Sequence, residues 1–160
     1  MGKQTSVSKA ILLAGFTAGC LDILAAIVIY VYIMNVVPSP ARLLQGIAKG
    51  AFGLSAFQGG NSMALAGLCF HFIIAFSFTI FYFLIFPSVP FLRKQRIIGG
   101  LLYGIFVWCV MNLLVLPALH ISSIPTNWKG IARGAAILMV CVGLPVSLII
   151  SRYYASRRNG

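Results

Sequence analysis

The chain has 160 residues, of which 61% are apolar and 8% charged, and a single acidic residue stands against twelve Lys/Arg. Soluble domains run near 45–50% apolar and about 25% charged, so this composition excludes an ordinary soluble domain and a disordered tail. The formal net charge of +11 does not point to nucleic acid either, because the basic residues punctuate long apolar runs instead of forming a hydrophilic surface. The remaining class is a small polytopic membrane protein.

A membrane-crossing helix needs about 20 mostly apolar residues at ~1.5 Å each. Segments 10–34, 63–86, 97–117 and 130–151 qualify and use most of the chain. The runs are long and continuously apolar, which favours helices over the short alternating strands of a barrel. The expected fold is one all-α membrane domain, 1–160: a four-transmembrane-helix bundle with a short amphipathic outer-face helix between helices 1 and 2.

In chain order, Ala10 to Met34 forms the first span. Its outer end leads to Pro38-Ser39-Pro40, where Ser39 caps a helix and Pro40 occupies its first turn. Ala41 to Phe52 then reads as the amphipathic helix, with Leu43, Leu44, Ile47 and Ala51 on one side and Arg42, Gln45 and Lys49 elsewhere. It is expected at the outer interface. Gly53 and Gly59-Gly60 break the chain before the second span. The Phe91–Arg96 stretch is a basic loop that meets anionic headgroups or simply enforces orientation. The connection from Ala118 to Lys129, with Pro125, is a loop, and Pro145 is expected to kink the fourth span.

Basic residues orient these spans. Lys3, Lys9, Arg93, Lys94, Arg96, Arg152, Arg157 and Arg158 fall on the side of the termini, and Arg42, Lys49, Lys129 and Arg133 on the other. The excess favours cytoplasmic N- and C-termini. Tyr30, Tyr32 and Trp128 at one edge, and Tyr153 and Tyr154 at the other, suit interfacial aromatic belts.

Near the N-terminus, Met1–Ser6 fits the loose myristoylation pattern, and Thr17-Ala18-Gly19-Cys20 fits a lipoprotein box weakly. The apolar run continues to Met34, beyond the 7–15 residues of a signal-peptide core, which favours a retained helix. Cys20, Cys69, Cys109 and Cys141 fall one per span, with no Cys-x-x-Cys pair. They read as packing residues, against the alternative of a convergent four-thiolate metal site. No metal or cofactor is expected.

Gly46-Ile47-Ala48-Lys49-Gly50-Ala51 recurs as Gly130-Ile131-Ala132-Arg133-Gly134-Ala135. Each copy follows a span with a Gly-x-x-x-Gly pair, Gly15/Gly19 and Gly100/Gly104. Duplication with a two-fold axis along the membrane normal is one reading, and chance similarity in a Gly/Ala-rich chain is the other. The glycine pairs themselves mark close helix approach.

Asp22 is the only acidic residue. It lies about 18 Å from the inner end of the first helix, and its helical neighbours Gly15, Ala18, Gly19, Ala25 and Ala26 are small. A charged carboxylate at this depth costs at least ~2.5–3.5 kcal/mol, so it must be paired, neutral or water-facing. His71 lies about 12 Å from the outer end of the second helix, at similar depth. Asn112 and Arg133 complete a polar cluster in the outer half. In one reading Asp22 accepts protons, His71 partners it, and Asn112 and Arg133 tune the pair. In the other, Asp22 is tied to His71 or Arg133 to fix helix register. His120 reads as a solvated interfacial residue. Enzyme signatures are lacking: there is no second carboxylate, nucleophile elbow, phosphate loop or His-Glu-x-x-His, and no enzymatic activity is expected.

Several motifs resemble a family of small uncharacterised bacterial inner-membrane proteins, distantly YagU-like. They are Leu44–Ala48 with Gly50, Ala56-Phe57 with Gly59-Gly60, and Leu68 with His71-Phe72 and Ala75. Tyr82, Gly100 with Tyr103-Gly104, Met111-Asn112 with Pro117, and Gly143-Leu144-Pro145 continue the pattern. The resemblance implies a bacterial inner-membrane location and carries over no substrate or catalytic residue. His71 and Asn112 fall within its pattern, Asp22 and His120 outside it.

The leading reading is therefore an integral inner-membrane protein with a buried polar cluster, a small proton-linked transporter or channel component. The alternative is a structural or accessory membrane protein whose cluster only fixes helix packing. The partners implied are the lipid bilayer and a homo-oligomer or another membrane protein, with no nucleic acid. The orientation is checked by C-terminal fusions in a bacterial host: a fluorescent-protein fusion is expected to fluoresce, and an alkaline phosphatase fusion to be inactive.

Overall fold

The computed structural model describes residues 6–121 and 125–158. Lys3, most of the Met1–Ser6 pattern and part of the Ala118–Lys129 connection lie outside them. Four helices are long and apolar enough to cross a membrane: α1 (Val7–Ile33), α3 (Gly60–Ile85), α5 (Arg96–Ala118) and α6 (Trp128–Arg157). Between α1 and α3 lies α2 (Pro40–Phe52), and between α3 and α5 a single-turn helix, α4 (Pro90–Lys94). Four crossings put both termini on one side of the bilayer, and α2 on the other.

The spans run past the expected ends. α1 starts at Val7, where the Ser6 hydroxyl accepts the Lys9 amide at 3.3 Å, and α6 continues to Arg157. Apolar runs stop at charged residues, whereas helices carry Lys and Arg stems on into the headgroup layer. The Phe91–Arg96 stretch is mostly helical, not a loop, because Pro90 is preset for a first helical turn and Leu92 is buried against Gly99.

The amphipathic helix forms as its signals predict: the Ser39 hydroxyl accepts the Arg42 amide at 3.2 Å, with Pro40 opening the helix. Gly53 (φ 63°) ends it and Gly60 (φ 56°) admits the chain into α3, both in the left-handed region that favours glycine. Seated on the bundle, it turns inward two of the polar residues that the sequence pattern set apart from its apolar side. Gln45 is buried and its Nε2 donates to the Gly60 carbonyl at 2.9 Å, and Lys49 Nζ donates to the Ile121 carbonyl at 3.2 Å. These polar side chains satisfy carbonyls at helix ends and so face the bundle. α2 comes so close to α3 at Gly67 that a side chain there would collide with the Leu44 carbonyl.

α1 packs against α3 and α6, and α6 packs against α5. The tightest seam joins α5 and α6. A Cβ on Gly100 would come within 2.9 Å of the Gly143 carbonyl oxygen, and one on Gly104 would meet the Met139 backbone. Gly15 and Gly19 instead receive the rings of Phe76 and Phe72 from α3. All four glycines thus mark close helix contact, and Gly67 and Gly143 join them.

The half of the bundle nearer the termini is filled by Ala14, Tyr82, Phe86, Tyr103, Val146 and Ile150. Its hydroxyls are spent internally. Tyr82 donates to Ser147 Oγ at 2.8 Å, Ser147 donates to the Arg96 carbonyl at 2.7 Å, and Tyr103 donates to the Phe78 carbonyl at 2.6 Å. In a lipid-surrounded core these bonds matter, since an unpaired hydroxyl there costs several kcal/mol. Leu12, Phe16, Leu65, Ile73 and Leu84 are exposed, as lipid-facing side chains are.

Toward α2 the bundle changes. Three spans widen into π-helical turns, at Ile27–Ile33 of α1, Val110–Val115 of α5 and Met139–Gly143 of α6. Two of these precede prolines. Pro145 lacks the amide that would bond the Cys141 carbonyl, and its ring would crowd it. The wide turn at Met139–Gly143 accommodates that defect. The two Gly-Ile-Ala copies fold differently: the first lies within α2 and stops at Gly53, and the second opens the span α6.

The α5–α6 seam is checked by thermal unfolding in detergent. Gly104→Leu is expected to destabilise by at least about 1–3 kcal/mol through overpacking. Gly130→Ala, with open space around the added methyl, is expected to be neutral or to stabilise by up to about 1 kcal/mol.

Candidate functional site

A cavity of about 750 Å³ opens in the α2 half of the bundle, with Tyr30, Met111, Val115 and Val142 of the widened turns among its lining residues. Its volume lies in the range of small-molecule sites, about 300–1,000 Å³. α1, α3, α5 and α6 form the walls, and α2 forms the roof with Leu43, Ile47 and Lys49. Phe78, Val107 and Val142 close it toward the termini, above the filled core.

The lining is almost wholly apolar, and the exceptions are few. Asp22 and His71 line the wall, Tyr30 stands higher on α1, and Lys49 sits at the roof. Asp22 lies about 16 Å along α1 from Ile33, near the middle of the span. It is half-buried. Among the described residues no group donates a hydrogen bond to its carboxylate, and no buried side-chain oxygen is left orphaned away from accessible space. The carboxylate therefore opens onto the cavity.

His71 is held from below. Its Nε2 meets the Gly19 carbonyl at 2.9 Å, and the ring stands edge-on to Phe72. A carbonyl only accepts, so Nε2 carries the proton and Nδ1 is the nitrogen left over. The contact exists because Gly19 has no side chain: the ring of Phe72 occupies the space where its Cβ would stand, and α3 comes close to the α1 backbone.

The other two members of the expected cluster lie apart from this cavity. Asn112 Nδ2 donates to the Trp108 carbonyl at 3.1 Å, within its own helix. The Arg133 guanidinium contacts the Met34 sulfur, at the edge where α1 ends and α6 begins. His120 is exposed, with φ 53°, beyond the end of α5. The structure thus brings Asp22 and His71 together and leaves Asn112 and Arg133 to local partners. Lys49 and Tyr30 were missed as site residues. The amphipathic pattern set Lys49 apart from the apolar side of α2, and the fold of α2 over the bundle turns it inward.

All four cysteines are free, Cys69 exposed and the others half-buried. Among the described residues no group of three or more His, Cys, Asp or Glu side chains converges as a metal site. A smaller hollow of about 250 Å³ lies between Ser77, Phe78, Phe81 and Phe106, and its one hydroxyl is spent on the Ile73 carbonyl. It offers a ligand no free polar group.

No family model, curated protein or solved structure matches the chain. The chemistry of the site therefore has to be read from its own residues. An open carboxylate beside an imidazole, in an otherwise apolar chamber, can hold a proton or bind a cation.

Access to the chamber is checked by thiol labelling. With the four native cysteines replaced, Ala26→Cys and Ile74→Cys in the lining are expected to react with a small membrane-impermeant methanethiosulfonate. Ala18→Cys, at a fully buried position in the packed core, is expected to stay unmodified by mass spectrometry.

Proposed function

We propose that this four-span membrane protein is a small proton-linked transporter or channel component of the bacterial inner membrane, with both termini cytoplasmic. One observation carries the reading: Asp22, the only acidic side chain, opens onto a cavity that it shares with His71 and accepts no hydrogen bond among the described residues. A carboxylate serving only as packing glue would be spent on a partner. Of its two expected partners, Arg133 lies away against Met34, and His71 stays beside it with Nε2 bonded to the Gly19 carbonyl. Helix register has its own polar fastening in the Tyr82–Ser147–Arg96 chain.

The reading gives each group a part. Asp22 takes up and releases a proton at mid-membrane, where ionisable residues mark pathways by default. His71 supplies an adjacent site, with Nδ1 free to accept while Nε2 stays on Gly19. The widened turns of α1, α5 and α6 are the elements able to rearrange, since such turns give up regular helix hydrogen bonding. The termini half of a single copy is closed by Tyr82, Val146 and Ile150. Crossing the membrane therefore requires that packing to open, or a path at the interface of a homo-oligomer.

Proton flux into proteoliposomes under an imposed pH gradient tests this. Wild type is expected to carry flux, and Asp22→Asn and His71→Leu to lose most of it at matched reconstitution, with thermal unfolding showing that both variants fold. Flux equal to protein-free vesicles in well-folded wild type sinks proton conduction. Loss of stability without loss of flux favours the packing role.

A further inference from the structure

We propose that the cavity is a binding site for a monovalent cation with an aromatic or otherwise apolar body, and that the cation and a proton compete for Asp22. The proposal rests on the reading of Asp22 as the working carboxylate of the cavity, and it adds the class of ligand. The volume of about 750 Å³ is far more than a proton or a bare metal ion uses. A bare ion also needs a cage of oxygen ligands, and this lining offers one carboxylate among apolar side chains. An apolar body explains the walls, and a single positive charge explains the single carboxylate. The rings of Tyr30, Phe70 and Phe78 line the same space, and aromatic rings attract a cation over their faces.

Charges on every wall bear on this assignment. Lys49 on α2 is positive, but its ammonium is tethered to the Ile121 carbonyl at the roof, by the end of α5. His71 on α3 donates through Nε2 to the Gly19 carbonyl and stands beside Asp22. Tyr30 stands on α1, Cys141 on α6 lies near Asp22, and α5 contributes only apolar side chains. At mid-depth, then, the one group that calls for an opposite charge is Asp22. Binding is a simple exchange: the cation arrives, the Asp22 carboxyl releases one proton to water, and the net charge of the site is unchanged.

Tetraphenylphosphonium and tetraphenylborate, nearly identical in shape and opposite in charge, test the assignment by equilibrium dialysis against the purified full chain in detergent. The expected result is saturable binding of tetraphenylphosphonium by wild type. Asp22→Asn should weaken it by about tenfold or more, the order of a lost charge contact in a partly screened interior. Asp22→Glu should retain it, which separates loss of charge from loss of fold. Affinity should rise with pH in wild type and in His71→Gln and stay flat in Asp22→Asn, because protonation removes the charge that binds. Preference for tetraphenylborate would overturn the proposal and assign the cavity to Lys49. Equal tetraphenylphosphonium binding by wild type and Asp22→Asn would overturn it too. Asp22-dependent proton flux without tetraphenylphosphonium binding would overturn the cation site and leave the proton-linked reading standing. Binding that Asp22→Asn abolishes, with no flux, would support the site and remove the proton-linked reading.

Discussion

Helices in a bilayer gain little by hiding apolar side chains from one another, because lipid tails are as apolar as leucine. What holds such a bundle is close backbone approach, and here that happens where α5 meets α6. Gly100 and Gly104 lie against the backbone of Met139 and Gly143, leaving no room for a side chain on either helix. Glycine carries a helix-propensity cost of about 1 kcal/mol relative to alanine. Its use at this seam is offset by dispersion and by weak Cα–H···O contacts along the joined backbones. The Tyr82–Ser147–Arg96 and Tyr103–Phe78 bonds then lock α3 onto the α5–α6 pair.

The closed half and the open half follow from this arrangement. Small residues bring the spans together as far as the α5–α6 seam, which includes the π-helical turn of α6, and beyond it the cavity opens toward α2, past the π-helical turns of α1 and α5. Prolines 117 and 145 and the β-branched run Ile27–Ile29 sit at or just beyond those turns, where regular helix hydrogen bonding is hardest to keep. The chamber that results is roofed by α2, whose Gln45 and Lys49 tie it to the ends of its neighbours. Asp22 tolerates mid-membrane depth because it opens onto this chamber and not onto lipid.

The number of spans, the helix between the first two, its Ser39–Pro40 start and its glycine stop were all legible in the sequence. Each rests on local chemistry: apolar run length, a capping hydroxyl, a left-handed backbone. The glycine pairs were legible as contact points for the same reason, since their effect is a missing side chain. Less legible was which surface each contact serves. Gly15 and Gly19 accept phenylalanine rings, while Gly100 and Gly104 accept a backbone, and no spacing rule distinguishes these. The polar cluster was half legible. Depth along a helix placed Asp22, His71, Asn112 and Arg133 at comparable levels, but depth says nothing of azimuth. Asn112 turned to its own helix, Arg133 to Met34, and Lys49 entered the site from a helix read as interfacial.

By itself, the sequence determined that this chain crosses a membrane four times, carries one carboxylate, and places it where a charge is costly. Those properties depend on composition and on residues within a turn or two of each other. Only the tertiary structure decided that the carboxylate has a chamber in front of it and an imidazole beside it. That outcome depends on how four helices rotate and where three of them widen, and both are set by contacts between residues far apart in the chain. Gly19 shows the difference. In sequence it is half of a common small-residue pair, and in the bundle its carbonyl holds His71 beside Asp22.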